Sequence, residues 1–217
     1  MCSLCVGQDM RQAIVTGASR GIGKAVADAL ESDGFQVHRV STAVLDVADK
    51  EAVDRYVSPF DRVDVLVNCA GIGHYNFIED LDEKDMRRVY EVNVMGTVHF
   101  CKACIPKMKE EGGLIVNIGS LRGIHCSPGR SSYTMSKFAV RAFTKTLAME
   151  LREHGIKATC INPGYVYTDM LTWRIEREGL APEDILQPQD IADAVMMLTR
   201  LSKGAVVEEI NLGEIWD

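Results

Sequence analysis

Short runs that are apolar at nearly every position recur along the chain: Gln12–Thr16, Phe35–Val40, Ala43–Asp46, Val63–Val67, Leu114–Ile118, Ile156–Ile161 and Ala205–Ile210. Uninterrupted apolar character, unlike strict alternation, marks strands covered on both faces, as in a parallel sheet between helical layers. Helical stretches separate them: about Gly21–Ser32, Asp49–Val57, Asp82 to about Glu111, Ser131–His154 and Pro188–Leu201. The run Asp82-Glu83-Lys84-Asp85 supplies a cap and negative charge where a helix N-terminus needs them, and Gly113 and Gly155 stop the helices before them. This β-α-β order with right-handed crossovers predicts an α/β fold: a doubly wound parallel sheet with helices on both faces, a three-layer sandwich. Its ligand crevice is expected at the carboxyl ends of the strands. No repeat, low-complexity tract or linker interrupts the pattern, so residues 12–217 are expected to form a single domain behind a flexible tail, 1–11.

Composition narrows the function. The chain has 217 residues, 24 Lys+Arg against 31 Asp+Glu and a formal charge of −7, which argues against a nucleic-acid footprint. No apolar stretch reaches the ~18 residues of a membrane span. The start, MCSLCVGQDM, lacks the basic and apolar regions of a secretion signal, so a cytoplasmic protein is expected. Seven scattered cysteines, an odd number, fit a reducing compartment and no disulfide framework. Two C-x-x-C pairs, Cys2/Cys5 and Cys101/Cys104, have no His at ligand spacing, and no metal site is expected.

The first strand runs directly into Thr16-Gly17-Ala18-Ser19-Arg20-Gly21-Ile22-Gly23 and then a helix. Three glycines at such a junction permit a tight turn, close approach of a pyrophosphate and close helix–strand packing. The helix N-terminus offers free N–H groups and a positive dipole end to phosphates. Arg20 sits inside the turn, where its guanidinium could meet a ribose 2′-phosphate or simply be solvated. Strand two ends His38-Arg39-Val40-Ser41-Thr42, without the acidic residue that would bind the 2′-hydroxyl of NAD. That absence, with Arg20 and Arg39 nearby, tilts the expected cofactor toward NADP(H) over NAD(H).

Tyr133 and Lys137 stand one helical turn apart on one face. Ser120 ends the buried strand Leu114–Ile118 and would open into the crevice. With Asn68-Cys69-Ala70-Gly71 after another strand, Asn93 in a long helix and Asn162-Pro163-Gly164, the arrangement becomes specific.

From Gln12 to about Asn211 the sequence resembles the short-chain dehydrogenase/reductase family in its ordinary single-domain form. The resemblance implies a Rossmann-type sheet of about seven strands, bound NAD(H) or NADP(H), and a catalytic tetrad of Asn93, Ser120, Tyr133 and Lys137. It implies cofactor contacts from Gly17, Ser19, Arg20, Gly21, Ile22, Gly23, Ser41, Tyr133 and Lys137. Asp46 would meet the adenine, Asn68 and Gly71 would flank the adenosine ribose, and Val166 and Thr168 would clamp the nicotinamide carboxamide; Val47, Ala70, Pro163 and Gly164 would also contact the cofactor. Asn93 would anchor a water relaying protons to Lys137. The chemistry suits these residue types: an unperturbed phenol pKa of about 10 is high for a base, and nearby positive charge lowers it toward the working range.

The sequence departs from the family in a short connection after the second strand, which trims the adenine side, and in Cys69, where a second Asn is usual. The stretch Tyr165–Gln187 is expected to form a short lid, with Met170, Leu171, Trp173 and Ile175 as an apolar cover or as an amphipathic helix on the body. His125 and Cys126 are candidates for the pocket wall. The helices 82–111 and 131–154 carry Met86, Val89, Phe100, Phe138, Phe143 and Leu147, suited to core or to a subunit interface, and the family implies a homodimer or homotetramer. The expected function is hydride transfer between nicotinamide and a small carbonyl or alcohol substrate, with no nucleic-acid or membrane partner. The alternatives are an NAD-dependent alcohol dehydrogenase working oxidatively and a non-catalytic NAD(P)-binding redox-sensing module.

Overall fold

The computed structural model describes residues 10–172, 179 and 181–213. Cys2, Cys5, Trp173, Ile175 and most of the expected tail lie outside these. Six strands, β1 (Gln12–Thr16), β2 (Gln36–Val40), β3 (Val65–Asn68), β4 (Gly113–Ile118), β5 (Ile156–Pro163) and β6 (Glu209–Leu212), form a sheet of order β2-β1-β3-β4-β5-β6. Every neighbouring pair is parallel.

The apolar strands are explained by their two covers. Ala13 and Val15 of β1, Val65 and Val67 of β3, and Leu114, Val116 and Ile118 of β4 face α1 (Gly21–Ser32) and α6 (Pro188–Arg200). The residues between them, Ile14, Leu66 and Ile115, face the other way, onto α2 (Lys50–Val57), α4 (Gly96–Met108) and α5 (Ser131–Glu150). Because the side-chain period is two, both sets must be apolar, and the alternation that marks a half-exposed strand disappears.

The expected strand Ala43–Asp46 is not formed, which accounts for six strands among the described residues rather than about seven. The chain turns there instead, with the N–H groups of Val44 and Leu45 donating to the Ser41 carbonyl at 2.9 and 3.0 Å. The expected last strand, Ala205–Ile210, pairs later, over Glu209–Leu212.

The long helix expected from Asp82 is interrupted. After α3 (Glu83–Tyr90), capped by the Asp82 carboxylate on the Lys84 N–H, comes one π-helical turn, Glu91–Met95, before α4. Such turns insert an extra residue and rotate the remainder of the helix, often at functional sites. Asn93 lies within it.

The direction in which strands are added reverses at β1: β2 lies on one side of it, and every later strand on the other. At such a switch point the connections leave in opposite directions and open a crevice above the strand ends.

Candidate active site

The glycine turn forms the floor of the crevice. Gly17 has φ +66 and Gly21 φ +54, left-handed values that side chains rarely tolerate. Space demands glycine too: a Cβ on Gly17 would lie 2.9 Å from the Ala70 backbone, and one on Gly23 would lie 2.3 Å from the Gly17 carbonyl oxygen. Thr16 joins the two halves, its buried hydroxyl accepting from the N–H groups of Cys69 and Ala70 at 3.0 and 3.1 Å. Among the described residues no side chain caps the N-terminus of α1, which leaves it open to a ligand.

Above this floor runs a groove of about 560 Å³, lined by Gly17, Ser19, Arg20, Gly21, Ile22, Gly23, Ser41, Asp46, Val47, Ala70, Gly71 and Thr168 among others. A dinucleotide needs a long groove, glycines under its phosphates and a free helix N-terminus, and these residues fit one. Pro163, Gly164 and Val166 line a smaller neighbouring cavity of about 90 Å³, together with Ser120, Tyr133 and Lys137. This connects to a third hollow of about 550 Å³, whose wall includes Tyr75, Ser120, Arg122, His125, Arg130, Tyr133, Tyr165, Met170 and Leu171. Ser120 and Tyr133 thus stand where a nucleotide groove and a separate pocket meet.

Three sequence expectations need correction. Asn68 does not line the groove; it is buried, donating to Asn117 Oδ1 at 2.9 Å, and Asn117 donates in turn to Thr144 Oγ1 at 2.9 Å. Strand alternation turns it from the cleft into a hydrogen-bonded layer under the site. Arg39 points away from the groove as well, onto α1, bound to Asp28 and Glu31 at 2.6 and 2.9 Å. Cys126 is exposed and is not on the pocket wall, whereas His125 is.

Arg88, which sequence inspection passed over on a charged helix, occupies the adenine end instead. It holds Asp46 at 2.7 Å, and both line the groove. Asp46 is pulled below the ordinary carboxylate range: burial pushes its pKa up, but the Ala48 N–H and the Arg88 guanidinium outweigh it. Arg20 is exposed at the mouth and makes a 3.5 Å contact with Asp169.

The four tetrad candidates come together. The side-chain oxygen of Asn93 accepts from the Ile72 N–H at 2.8 Å, and its amide donates to the Ile72 carbonyl at 2.9 Å and to Ser136 Oγ at 3.0 Å. Its side chain therefore braces the loop after β3 against α5. Lys137 is buried and donates to the carbonyl of Ile118, the last residue of β4, two residues before Ser120, at 2.7 Å. Its Nζ is 5.6 Å from the centroid of the Tyr133 ring. Burial raises the Tyr133 pKa above its ordinary value; the neighbouring Ser120 hydroxyl opposes the rise. Burial lowers the Lys137 pKa.

Burial holds the thiols of Cys69 and Cys101 protonated, and Cys69 lies on the groove wall. Cys101 lies inside α4, accepts from Asn68 Nδ2 at 3.4 Å, and is pushed by burial up to about 12. Cys69 is likewise pushed by burial up to about 12. Among the described residues no group of three or more His, Cys, Asp or Glu could hold a metal ion.

The family model described as short chain dehydrogenase matches residues 37–179, more than half of the chain. The chain belongs to the short-chain dehydrogenase family. A 3-oxoacyl-[acyl-carrier-protein] reductase of a Synechocystis species is 34% identical over 223 residues, covering 86% of this chain and 87% of that protein. A short-chain dehydrogenase of Penicillium roqueforti is 31% identical over 243 residues, covering 86% and 88%. The crystal structure of a 3-ketoacyl-(acyl-carrier-protein) reductase from Brucella melitensis complexed with NADH superposes with TM-score 0.85 at 27% identity, covering 94% of this chain and 96% of that one. This short-chain dehydrogenase is an NAD(P)-dependent oxidoreductase acting on a small-molecule substrate. No helix among its described residues is long and apolar enough to cross a membrane.

Proposed function

We propose that this short-chain dehydrogenase is an NADP(H)-preferring carbonyl reductase in which Tyr133 is the proton donor. One observation carries the reading: Tyr133 and Ser120 share the wall between the nucleotide groove and the separate pocket, with Lys137 behind them. When bound in the groove, a nicotinamide cofactor would supply the hydride. Ser120 donates to the carbonyl oxygen and fixes it beside the Tyr133 hydroxyl, which delivers the proton; positioning and developing-charge stabilisation are combined in that one contact. Lys137 keeps a positive charge behind the phenol and offers a donor to the cofactor ribose, and Asn93 acts by holding the Gly71–Ile72 wall.

The preference for NADP(H) is supported by Arg20 at the mouth, by Arg88 beside Asp46 and by Ser41 just after β2, where an acidic residue would repel a 2′-phosphate. The NADH in the Brucella structure favours the other cofactor, and oxidative use of NAD is the second reading. Residues 12–217 act as one domain, a reading supported by a sheet that begins at Gln12 and ends at Leu212. A homodimer or homotetramer is supported by the exposed Met95, Met135, Phe138 and Met149 on the π turn and α5; Val89, Phe100 and Leu147 are core instead. Cytoplasmic residence is supported by free thiols at every described cysteine.

The test follows NADPH and NADH fluorescence on binding, then absorbance loss with a panel of aldehydes and ketones. Tighter NADPH binding and turnover support the proposal. Tighter NADH binding reverses the cofactor preference, and firm binding without turnover across the panel favours a redox-sensing module.

A further inference from the structure

One group in the substrate pocket has no task in the reduction itself. Arg130 is 5% exposed, and its Nη2 is buried without a hydrogen-bond partner. Its guanidinium packs near two aromatic rings, 5.1 Å from the Tyr75 centroid and 5.8 Å from that of Tyr165. Attraction to ring faces stabilises the charge in part, but it leaves in-plane N–H groups unanswered. A buried guanidinium nitrogen without an acceptor is unfavourable, and a ligand that supplies one to Nη2 removes the penalty.

The position points to the substrate. Arg130 is the residue before the first turn of α5, three places ahead of Tyr133, so both issue from one end of one helix. Both line the 550 Å³ hollow, and Arg122 and His125 stand on the same wall with no Asp or Glu among its described residues. Arg122 donates to the Tyr165 hydroxyl at 3.3 Å, which fixes the second guanidinium beside the first one's ring. The N-terminus of the 20-residue helix α5 adds positive potential. In a chain of formal charge −7, this is a local reversal of sign.

We propose that the substrate carries a carboxylate, bound by Arg130 with Arg122 beside it: an oxo acid in the reductive direction, a hydroxy acid in the reverse. A guanidinium packed against rings presents its edge, and a planar two-oxygen anion matches that edge in a bidentate pair. The carboxylate takes no part in bond making; it decides which carbonyl carbon stands before Tyr133. The inference rests on the reductase reading, and its test separates the two.

The full-length enzyme with NADPH is assayed on short- and medium-chain 2-, 3- and 4-oxo acids, each against its own methyl ester, and on matched oxo phosphates. The best acid should exceed its ester in kcat/KM by about tenfold or more, the size of one charge-assisted hydrogen bond. Arg130→Gln should bring that acid-to-ester ratio close to one, and Arg130→Lys should restore part of it. An ester reduced as well as its acid, or a ratio unmoved in Arg130→Gln, overturns the proposal; so does a phosphate preferred over every carboxylate. The wild-type ratio stands even if the variants fail to fold. If no compound is turned over, the reductase reading falls, and calorimetry on the NADPH-loaded enzyme decides the inference: saturable binding of the oxo acid but not its ester supports it, and equal or absent binding overturns it.

Discussion

Lys137 faces the Tyr133 ring, with Nζ 5.6 Å from its centroid, yet gives its hydrogen bond to the Ile118 carbonyl at 2.7 Å. The ammonium is anchored to the strand that delivers Ser120, so the phenol, the charge and the hydroxyl are fixed by one helix and one strand end. The phenol hydroxyl alone is then expendable for structure. Tyr133→Phe is expected to keep cofactor affinity within about twofold while lowering kcat by at least the ~10²–10⁴-fold typical of a positioned general acid. Steady-state rates alongside NADPH fluorescence titration check it; activity at a third of wild type would mean that the proton comes from elsewhere.

The direction of the Tyr133 pKa sets a pH profile. Burial holds the phenol above its ordinary value of about 10, with Ser120 pulling the other way. Alcohol oxidation needs the phenolate, so its kcat/KM should climb with pH along an alkaline limb set by this phenol. Ser120→Ala removes the opposing hydroxyl, so the alkaline limb should move to still higher pH, and the rate should fall about 10²–10³-fold with the lost donor. An alkaline limb that stays in place would assign it to another group.

The chemistry was easier to read in the sequence than the walls around it. Gly17, Gly21 and Gly23 and the Tyr133–Lys137 pair are local patterns whose spacing carries the geometry, and β1 ends where its apolar run ends. Asn68 and Arg39 could not be placed, because which face a strand residue takes depends on a register set by its neighbours. The π turn at Asn93 was hidden because one extra residue barely disturbs the helical period around it. Arg88 and Arg130 belong to no sequence motif; only the fold shows one paired with Asp46 in the groove and the other buried near two tyrosines. The strand expected at Ala43–Asp46 has suitable residues, but the chain instead closes a turn on the Ser41 carbonyl.

The third glycine of the turn is the tightest. A Cβ at Gly23 would stand 2.3 Å from the Gly17 carbonyl oxygen, backbone that cannot yield without opening the turn. Gly23→Ala should weaken NADPH binding by at least tenfold, because the phosphate-facing N–H groups move with that backbone. It should also lower Tm, as overpacking typically costs about 1–3 kcal/mol. Fluorescence titration and thermal melts measure the two effects; unchanged affinity would show that the phosphates do not sit on this turn.

The edge strand β6 is tied to α5 by Glu209. Its carboxylate accepts from Arg141 at 2.6 and 3.1 Å and from Asn162 at 2.8 Å, and pairs with Lys145 at 2.7 Å. These contacts depress its pKa, the hydrogen bond from Arg141 most of all, against a smaller rise from burial. A carboxylate whose folded pKa is depressed contributes stability above its unfolded value of about 4.3 and loses it as pH falls through the folded pKa. Glu209→Gln should therefore destabilise the protein at neutral pH by about 1–3 kcal/mol, since two partly buried cations lose their partner. Between neutral pH and about pH 5 the gap between wild type and variant should stay level, and below that it should narrow as the wild-type carboxylate takes up its proton. Urea unfolding of both proteins across that range measures the gap; one that widens on acidification would mean that Glu209 is not ionised in the native state.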